Sequence, residues 1–252
     1  MLRSLILHQH RLSSAADALL PERFTRDGNR HFGDDVVPAH IEEGMTVYDV
    51  GGGRTPVVPP ALKSARRLRV VGIDIDEREL AMAPSAAYDA TVVADISTYR
   101  GCADGDVVVC RALLEHVPDT GRAFEALASI AKPGGRILVF VPSRRAVFAR
   151  LNRVLPEAWK RHLLFAIWPQ ARSKQGFRAY YDRCTPAEFE RVAGACGLTV
   201  ERRLCFYTSA YFKFFLPLHL AWRLWALGCY GLRGSEAAET FVLVLRKPGG
   251  SR

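Results

Sequence analysis

The sequence predicts an α/β protein with a doubly wound sheet. Three observations carry this. Short β-branched, apolar runs alternate with segments of helical spacing through the first 143 residues. Those runs are apolar at consecutive positions, as in parallel strands covered by helices on both faces. The first run, Thr46–Val50, breaks into Gly51-Gly52-Gly53, the glycine turn expected where a ligand crosses a strand end.

The elements follow in order. Residues 1–45 read as an N-terminal helical cover. After Thr46–Val50, the paired prolines Pro59-Pro60 delay a short helix to about Ala61–Arg67. Arg69–Asp74 ("RVVGID") is a second strand, and Asp76 can cap the helix that runs on to Ala83. Ala90–Ala94 and Asp106–Cys110 are the third and fourth strands. Asp119–Ala131 carries Phe124, Leu127 and Ile130 at helical spacing and stops at Pro133-Gly134-Gly135. Arg136–Val141 is a fifth strand. A helix over Pro186–Cys196 and strands at Leu198–Phe206 and Thr240–Arg246 complete the pattern. Residues 46–143 thus form a ligand-binding core, and 144–180 and 208–235 interrupt the alternation as helical insertions in the C-terminal half of one domain, 1–252.

In an open α/β sheet, ligands lie beyond the carboxyl ends of the strands. Glycines there let a ligand rest on bare backbone. Asp74 ends the second strand, where a carboxylate can accept both hydroxyls of a ribose, and Asp95 ends the third, within reach of a base amino group. Glycine, acid, acid at successive strand ends suits an adenosine-containing ligand. A dinucleotide asks for G-x-G-x-x-G with a pyrophosphate on a helix N-terminus. Here Gly51 and Gly53 match, but the third position is Pro56, and Asp49 would set a negative charge near the pyrophosphate. S-adenosylmethionine carries no phosphate, and its ammonium group favours nearby acid. The residues favour it over a nicotinamide dinucleotide.

These motifs resemble those of class I S-adenosylmethionine-dependent methyltransferases of the type-11-like group. Asp49-x-Gly51-x-Gly53 is similar to that family's first motif and "VVGIDID" to its second, with Asp74 binding ribose and Ile75 beside it. "VVADIS" resembles the third, placing Asp95 and Ile96 by the adenine. "DVVVCRALLEHV" followed by "AKPGGRILVFVPS" resembles the fourth strand and the lysine-proline-glycine-glycine turn, with Arg111 and Glu115-His116 between them. The resemblance implies a Rossmann-like, seven-stranded, mostly parallel sheet with an antiparallel last strand, and S-adenosyl-L-methionine bound by Asp49, Gly51, Gly52, Gly53, Arg54, Asp74, Ile75, Asp95, Ile96 and Arg111. Two departures stand out. Thr55 replaces a third glycine, and Arg54 beside it can pair with the methionyl carboxylate or remain a solvated arginine. Ala112 stands where some relatives carry the acid that completes a magnesium site, so no metal requirement is expected.

Methyl transfer from a sulfonium is an in-line displacement, in which holding acceptor and methyl together can supply about 7–11 kcal/mol of the barrier. A hydroxyl or amine acceptor also calls for a base. His116 is the first candidate, with Glu115 beside it, or the pair serves only to tie the loop. Tyr181, in the run Tyr180-Tyr181-Asp182, is the next candidate.

Charge is concentrated. The chain carries a formal +9, and Arg144 to Arg178 holds nine Lys/Arg against one acid, Glu157. Phe148, Leu151, Leu155, Trp159, Leu163, Phe165 and Trp168 are interleaved with these cations. The segment reads as a helical lid over the acceptor or as a basic amphipathic helix on an anionic membrane surface. The second insertion, rich in Tyr, Phe and Trp but broken by Lys213, Pro217 and Arg223, reads as a buried cover, a membrane-dipping element or a greasy channel. Both follow late strands, so they are expected to meet over the acceptor pocket.

The expected partner is therefore a small-molecule or lipid-like acceptor, methylated at oxygen. RNA methylation through the basic segment is the alternative, disfavoured because the fourth strand ends in "CRALLEH" and not in an Asn/Asp-Pro-Pro-aromatic turn. A non-catalytic partner protein is disfavoured by the intact acid–glycine–acid set. Cysteines at 102, 110, 184, 196, 205 and 229 form no CxxC pair, which argues against zinc and disulfide frameworks and for a reducing cytoplasm, with peripheral attachment at the inner membrane face as an option. No signal peptide or membrane span is expected, because the N-terminal apolar run is only Leu5-Ile6-Leu7.

Overall fold

Side chains that alternate along each central strand divide the core into two layers. In the computed structural model, which describes residues 2–154 and 177–249, Val47, Val70, Val107 and Val109 pack on one face against Phe32, Val36, Ile41, Val57 and Val58. Val50, Val71, Ile73, Val108 and Cys110 pack on the other against Phe124, Leu127, Ile130 and Phe189. Both faces are buried, so consecutive apolar residues are required.

The strands are β1 (Thr46–Val50), β2 (Arg69–Asp74), β3 (Ala90–Val93), β4 (Gly105–Arg111), β5 (Ala131–Pro142), β6 (Thr199–Phe206) and β7 (Thr240–Arg246). They form one sheet in the order β3-β2-β1-β4-β5-β7-β6. β1 to β5 pair in parallel, and β7 runs antiparallel between β5 and β6. This is the Rossmann-like, mostly parallel seven-stranded sheet that the sequence predicts, with its last strand reversed. β1 lies between β2 and β4, so strand order reverses beside it and a crevice opens at its carboxyl end.

The helices are α1 (Leu2–Asp17), α2 (Pro60–Ala65), α3 (Glu77–Ala81), α4 (Thr120–Ile130), α5 (Val147–Val154), α6 (Pro186–Ala195) and α7 (Leu216–Arg233), with short helical turns between Glu22 and Ala39. Their starts follow the sequence. Asp76 accepts from Arg78 N–H, Asp119 from Arg122 N–H and Thr185 from Glu188 N–H, each quenching a donor that the first turn leaves unpaired.

Two expectations need correction. β3 is an edge strand, exposed at Ala90, Thr91 and Val93, so it is not covered on both faces. β5 starts at Ala131 and not Arg136, because Ala131 already pairs with Gly105 ahead of a register shift. The two insertions do meet, through Phe148 stacked on Tyr211 at 4.7 Å and Val147 packed on Phe212, Trp222 and Ala226. Among the described residues this contact reaches α7, which packs against α1, where buried His219 and Arg223 bond to Asp17 at 2.8 and 2.6 Å. The apolar and aromatic run from Leu155 to Trp168 lies outside the described residues.

Candidate active site

A cavity of about 490 Å³ opens at the carboxyl ends of β1, β2 and β3. Its floor is Val50-Gly51, Ile73-Asp74-Ile75 and Ala94-Asp95-Ile96, and its far wall is Ala112-Leu113, His116-Val117-Pro118, Phe177, Arg178 and Tyr180. The structure thus brings together Gly51, Asp74, Ile75, Asp95, Ile96 and His116 of the residues selected from sequence.

The glycine turn is shaped from behind. Gly51 has φ +75°, and a Cβ there would stand 2.9 Å from the Leu113 side chain on the opposite wall. A Cβ on Gly52 would meet the Asp49 carboxyl at 2.6 Å, and one on Gly53, at φ +46°, would meet Asp74 Oδ2 at 3.1 Å. Thr55 N–H donates to Gly52 O at 2.9 Å and closes the turn tightly. Asp49 is fully buried and does not line the cavity. Its Oδ2 accepts from Val57 N–H at 2.7 Å and from the Tyr88 hydroxyl at 3.5 Å, while Oδ1 has no partner. Burial pushes its carboxyl up to about 6, against the opposing pull of the Val57 amide. Tyr88 also donates to Gly53 O at 3.1 Å, and its ring fills the space beside Gly72, where a Cβ would come within 2.9 Å. Tyr88 therefore supports the turn, a role that sequence reading missed. The glycine in "VVGIDID" was its only signal.

Arg54 donates through Nε to Glu79 Oε2 at 2.6 Å and pairs again through Nη2. It is tied to α3 and does not line the cavity. Arg111 donates to Thr55 O at 2.9 Å, bracing the end of the turn. Asp74 accepts from Asp76 N–H at 3.0 Å through Oδ1, and its carboxyl is raised by burial, with the Asp76 amide opposing. Asp95 Oδ1 accepts from the Ser97 amide at 2.8 Å and hydroxyl at 2.7 Å. Ile75 is exposed and Ile96 buried, giving the cavity apolar surface between its two rim acids.

The far wall is stitched together by residues distant in sequence. Tyr180 and Tyr181 N–H donate to Glu115 O at 2.7 and 3.0 Å. His116 Nδ1 lies 3.1 Å from Arg178 O. A carbonyl oxygen only accepts, so Nδ1 carries a proton, and in the neutral ring Nε2 is then the nitrogen with the lone pair. The Glu115 carboxyl is buried, with Oε2 unpartnered, and burial raises it to about 8. Its Oε1 is 3.8 Å from His116 Nε2, beyond hydrogen-bond reach. Glu115 does not line the cavity, so it can act on the site only through His116 and the backbone.

The Tyr180-Tyr181-Asp182 run separates. Tyr180 lines the cavity, Tyr181 is buried in the core, and Asp182 accepts from Thr120 N–H and Oγ1 at 3.0 and 2.8 Å, bracing α4. Tyr181 adopts φ +53°, and that left-handed residue sends consecutive side chains to different sides. Its hydroxyl, raised to about 12 by burial, is not brought to the cavity. Among the described residues, no three His, Cys, Asp or Glu are grouped to hold a metal ion.

A phosphate-free nucleoside fits this arrangement better than a dinucleotide. The glycine cradle admits a ligand where a Cβ would collide with Leu113, and the rim presents Asp74 and Asp95. No helix N-terminus stands at the turn, since α2 begins only at Pro60, without a side-chain cap.

The fold and this cavity define a methyltransferase of the Rossmann-like class. Residues 20–202 match the family described as "Methyltransferase domain", and the chain belongs to that family. Its members' fold is that of class I S-adenosylmethionine-dependent enzymes, and S-adenosylmethionine is the cofactor. The chain is 27% identical over 164 residues to the ubiquinone biosynthesis O-methyltransferase of Aeromonas salmonicida, covering 62% of this chain and 64% of that one. It is 31% identical over 168 residues to the protein of that name from Thiobacillus denitrificans, covering 63% and 66%. An uncharacterized methyltransferase of Mycobacterium sp. (strain KMS) is 37% identical over 94 residues, 36% of each chain. The chain thus spans less than two thirds of these relatives' length. Among solved structures, a Haloferax volcanii methyltransferase in complex with the Trm112 methyltransferase activator superposes with TM-score 0.55 at 15% identity, covering all of both chains. Phosphoethanolamine N-methyltransferase 2 of Haemonchus contortus, with S-adenosyl-L-methionine, superposes with TM-score 0.55 at 17% identity over 95% of this chain and 57% of that one. These two likenesses establish the fold.

Proposed function

We propose that the protein methylates a hydroxyl of a small, apolar or lipid-linked acceptor, with no metal ion. The observation that carries this reading is His116, which lines the cavity with Nδ1–H committed to Arg178 O and Nε2 left as the base. When bound, S-adenosylmethionine supplies an electrophilic methyl group on a sulfonium. Asp74 is positioned to accept from ribose hydroxyls, Ile75 and Ile96 to cover the flat base, Asp95 to accept from its amino group, and Gly51 to leave room against Leu113. His116 Nε2 takes the acceptor's hydroxyl proton while Nδ1–H stays on the carbonyl, which holds the ring in one orientation. Glu115 keeps its own proton at neutral pH, so it draws no charge onto the imidazole before the acceptor arrives. Phe177, whose ring is 6.4 Å from that of His116, and Tyr180 give the acceptor side an aromatic wall. The ubiquinone O-methyltransferases among the relatives support oxygen as the methylated atom, and Phe177, Arg178 and Tyr180, at the end of the first insertion, line the acceptor side.

The test combines titration with turnover. S-adenosylhomocysteine binding is measured by calorimetry, and methyl transfer is followed on phenolic acceptors with and without a prenyl tail, in EDTA and in magnesium. His116→Gln should lower kcat by about 10²–10⁴-fold with cofactor affinity kept. Full turnover in that variant, or turnover that depends on magnesium, would overturn the reading. Methylation of RNA in place of the phenols would move the substrate class to the basic segment.

A further inference from the structure

Helix α7 is partly inverted: it buries Trp222 and Ala226, but it buries a histidine and an arginine with them. A surface helix in water turns polar residues outward and apolar residues to the core. On α7, His219 and Arg223 are buried, while Leu218, Leu224, Trp225 and Leu232 stand 41%, 73%, 54% and 87% exposed. Helix α1, which packs against it, has the same inversion: Ser13 and Asp17 are buried, and Leu5 and Leu12, seven residues apart, are exposed.

The buried polar groups pair with one another where the two helices meet, although His219 Nδ1 is left without a hydrogen-bond partner. Asp17 receives His219 Nε2 at 2.8 Å, Arg223 Nε at 2.6 Å and Lys213 Nζ at 3.0 Å. Arg223 also donates to the carbonyls of Phe24 and Tyr207 at 3.0 and 2.8 Å and to Thr208 Oγ1 at 3.0 Å. Gln9 Oε1 accepts from Leu216 N–H at 2.9 Å. Charges paired inward with leucines outward is the arrangement expected of helices whose surroundings are less polar than water.

Charge complementarity selects the occupant. From Met1 to Ala16 and from Leu216 to Arg233 there is no acid at all. Arg11 and Arg233 are exposed on these helices. Arg150 and Arg153 are exposed on α5, whose Val147 packs into the Phe212–Trp222–Ala226 cluster beside α7. A second copy of this chain, itself +9, docked through the same two helices would set cations against cations with no acid on either helix face to receive them. An anionic lipid surface meets both the leucines and the arginines. Among the described residues no helix is long and apolar enough to cross a membrane, so the pair would lie in the interface.

We infer that the α1–α7 face docks the protein on an anionic membrane surface. Leu218, Leu224, Trp225 and Leu232 enter the headgroup–acyl boundary, and Arg11, Arg150, Arg153 and Arg233 remain at headgroup level. The inference stands apart from the choice of acceptor.

The experiment is co-sedimentation of the full chain with phosphatidylcholine vesicles containing about one part in three of phosphatidylglycerol, and with pure phosphatidylcholine. The expected result is partitioning to the anionic vesicles, weakened by salt, with a blue-shifted Trp225 emission that Trp225→Phe removes. L224E/W225E should weaken partitioning by about tenfold or more. Both sites are exposed, and calorimetric titration with S-adenosylhomocysteine reports that the double variant is folded. That titration also separates the two proposals, because loss of vesicle binding with cofactor binding intact touches only this one. Equal partitioning of wild type and double variant would overturn it, as would equal partitioning onto both vesicle types. A concentration-dependent dimer that the double variant abolishes would assign the face to a second copy and overturn it as well.

Discussion

Replacing Glu115 by glutamine should make the protein more stable at neutral pH, and the gain should disappear in acid. Burial raises this carboxyl from 4.5 to about 8, so the folded state holds a proton that the unfolded chain has released. At pH 7 that mismatch spans roughly 2.5 pH units, which at 1.36 kcal/mol per unit is about 3 kcal/mol of stability lost. The sign follows from proton counting. Between 4.5 and about 8 the native state binds more protons than the unfolded one, so stability falls as pH rises through that window. Glutamine keeps the shape, carries no proton to lose, and makes the term vanish. Its amide is still buried, so about 3 kcal/mol is an upper bound and about 1–3 kcal/mol is the expected gain.

Urea unfolding of both proteins at a series of pH values from 4 to 8 measures this. Asp49 and Glu239, raised by burial to about 6 and about 7, tilt the wild-type curve in the same direction. Only the difference between wild type and Glu115→Gln isolates Glu115. A difference that does not change with pH, or a variant less stable than wild type at pH 7, would refute a protonated Glu115. Either result would mean that burial does not keep Glu115 protonated in the folded protein at neutral pH, and the neutral surroundings assigned to His116 would be lost with it.

Two further predictions test other parts of the structure. Gly51→Ala puts a Cβ 2.9 Å from Leu113 at φ +75° and should weaken S-adenosylhomocysteine binding by about tenfold or more. Gly44→Ala, at φ +77° with nothing within 4 Å, carries the same backbone cost of about 1–2 kcal/mol and should leave the calorimetric affinity unchanged. Asp17→Asn leaves Arg223 and Lys213, with His219 beside them, around a neutral group and should cost about 3–5 kcal/mol in urea unfolding at neutral pH. Burial raises the Asp17 carboxyl, but hydrogen bonds from His219, Arg223 and Lys213 outweigh it and hold the group well below its usual 3.8. Its contribution is therefore complete above that value, and the gap between variant and wild type should close as pH falls below about 4.

Strand positions were legible because their signal is local. Each central strand is a β-branched run bounded by glycine, proline or acid, and Thr46–Val50, Arg69–Asp74 and Thr240–Arg246 sit where the pattern places them. What could not be read is set by partners far along the chain or by backbone angles that composition does not announce. Tyr180 and Tyr181 are indistinguishable as letters, yet a φ of +53° at Tyr181 sends one to the cavity and the other to the core. Arg54 finds Glu79 on α3, which no motif specifies. The α1–α7 pairing joins residues about two hundred apart, but it did leave a trace. Asp17 is the first acid in the chain, and Lys213, His219 and Arg223 occupy a stretch without any acid. Cations in an apolar, acid-free helix require a distant carboxylate if they are to be buried.

The acids around the glycine turn make one sheet edge electrostatically better suited to a cation than to a phosphate. Asp74 and Asp95 stand at the rim, where they meet the cavity, and Asp49 supports the turn from beneath. The nearby arginines are diverted: Arg54 to Glu79, Arg111 to the Thr55 carbonyl, and Arg178 over the Tyr180 ring at 5.2 Å. A pyrophosphate would find carboxylates, no helix N-terminus and arginines already engaged. A ligand bearing a sulfonium and an ammonium meets the opposite field, attractive at close range and least screened where the cavity excludes water. The Arg54-Thr55-Pro56 ending of the turn therefore contributes by what it withholds. Thr55 closes the loop, Arg54 leans away to α3, and the positive charge that a dinucleotide site would need is spent outside the pocket.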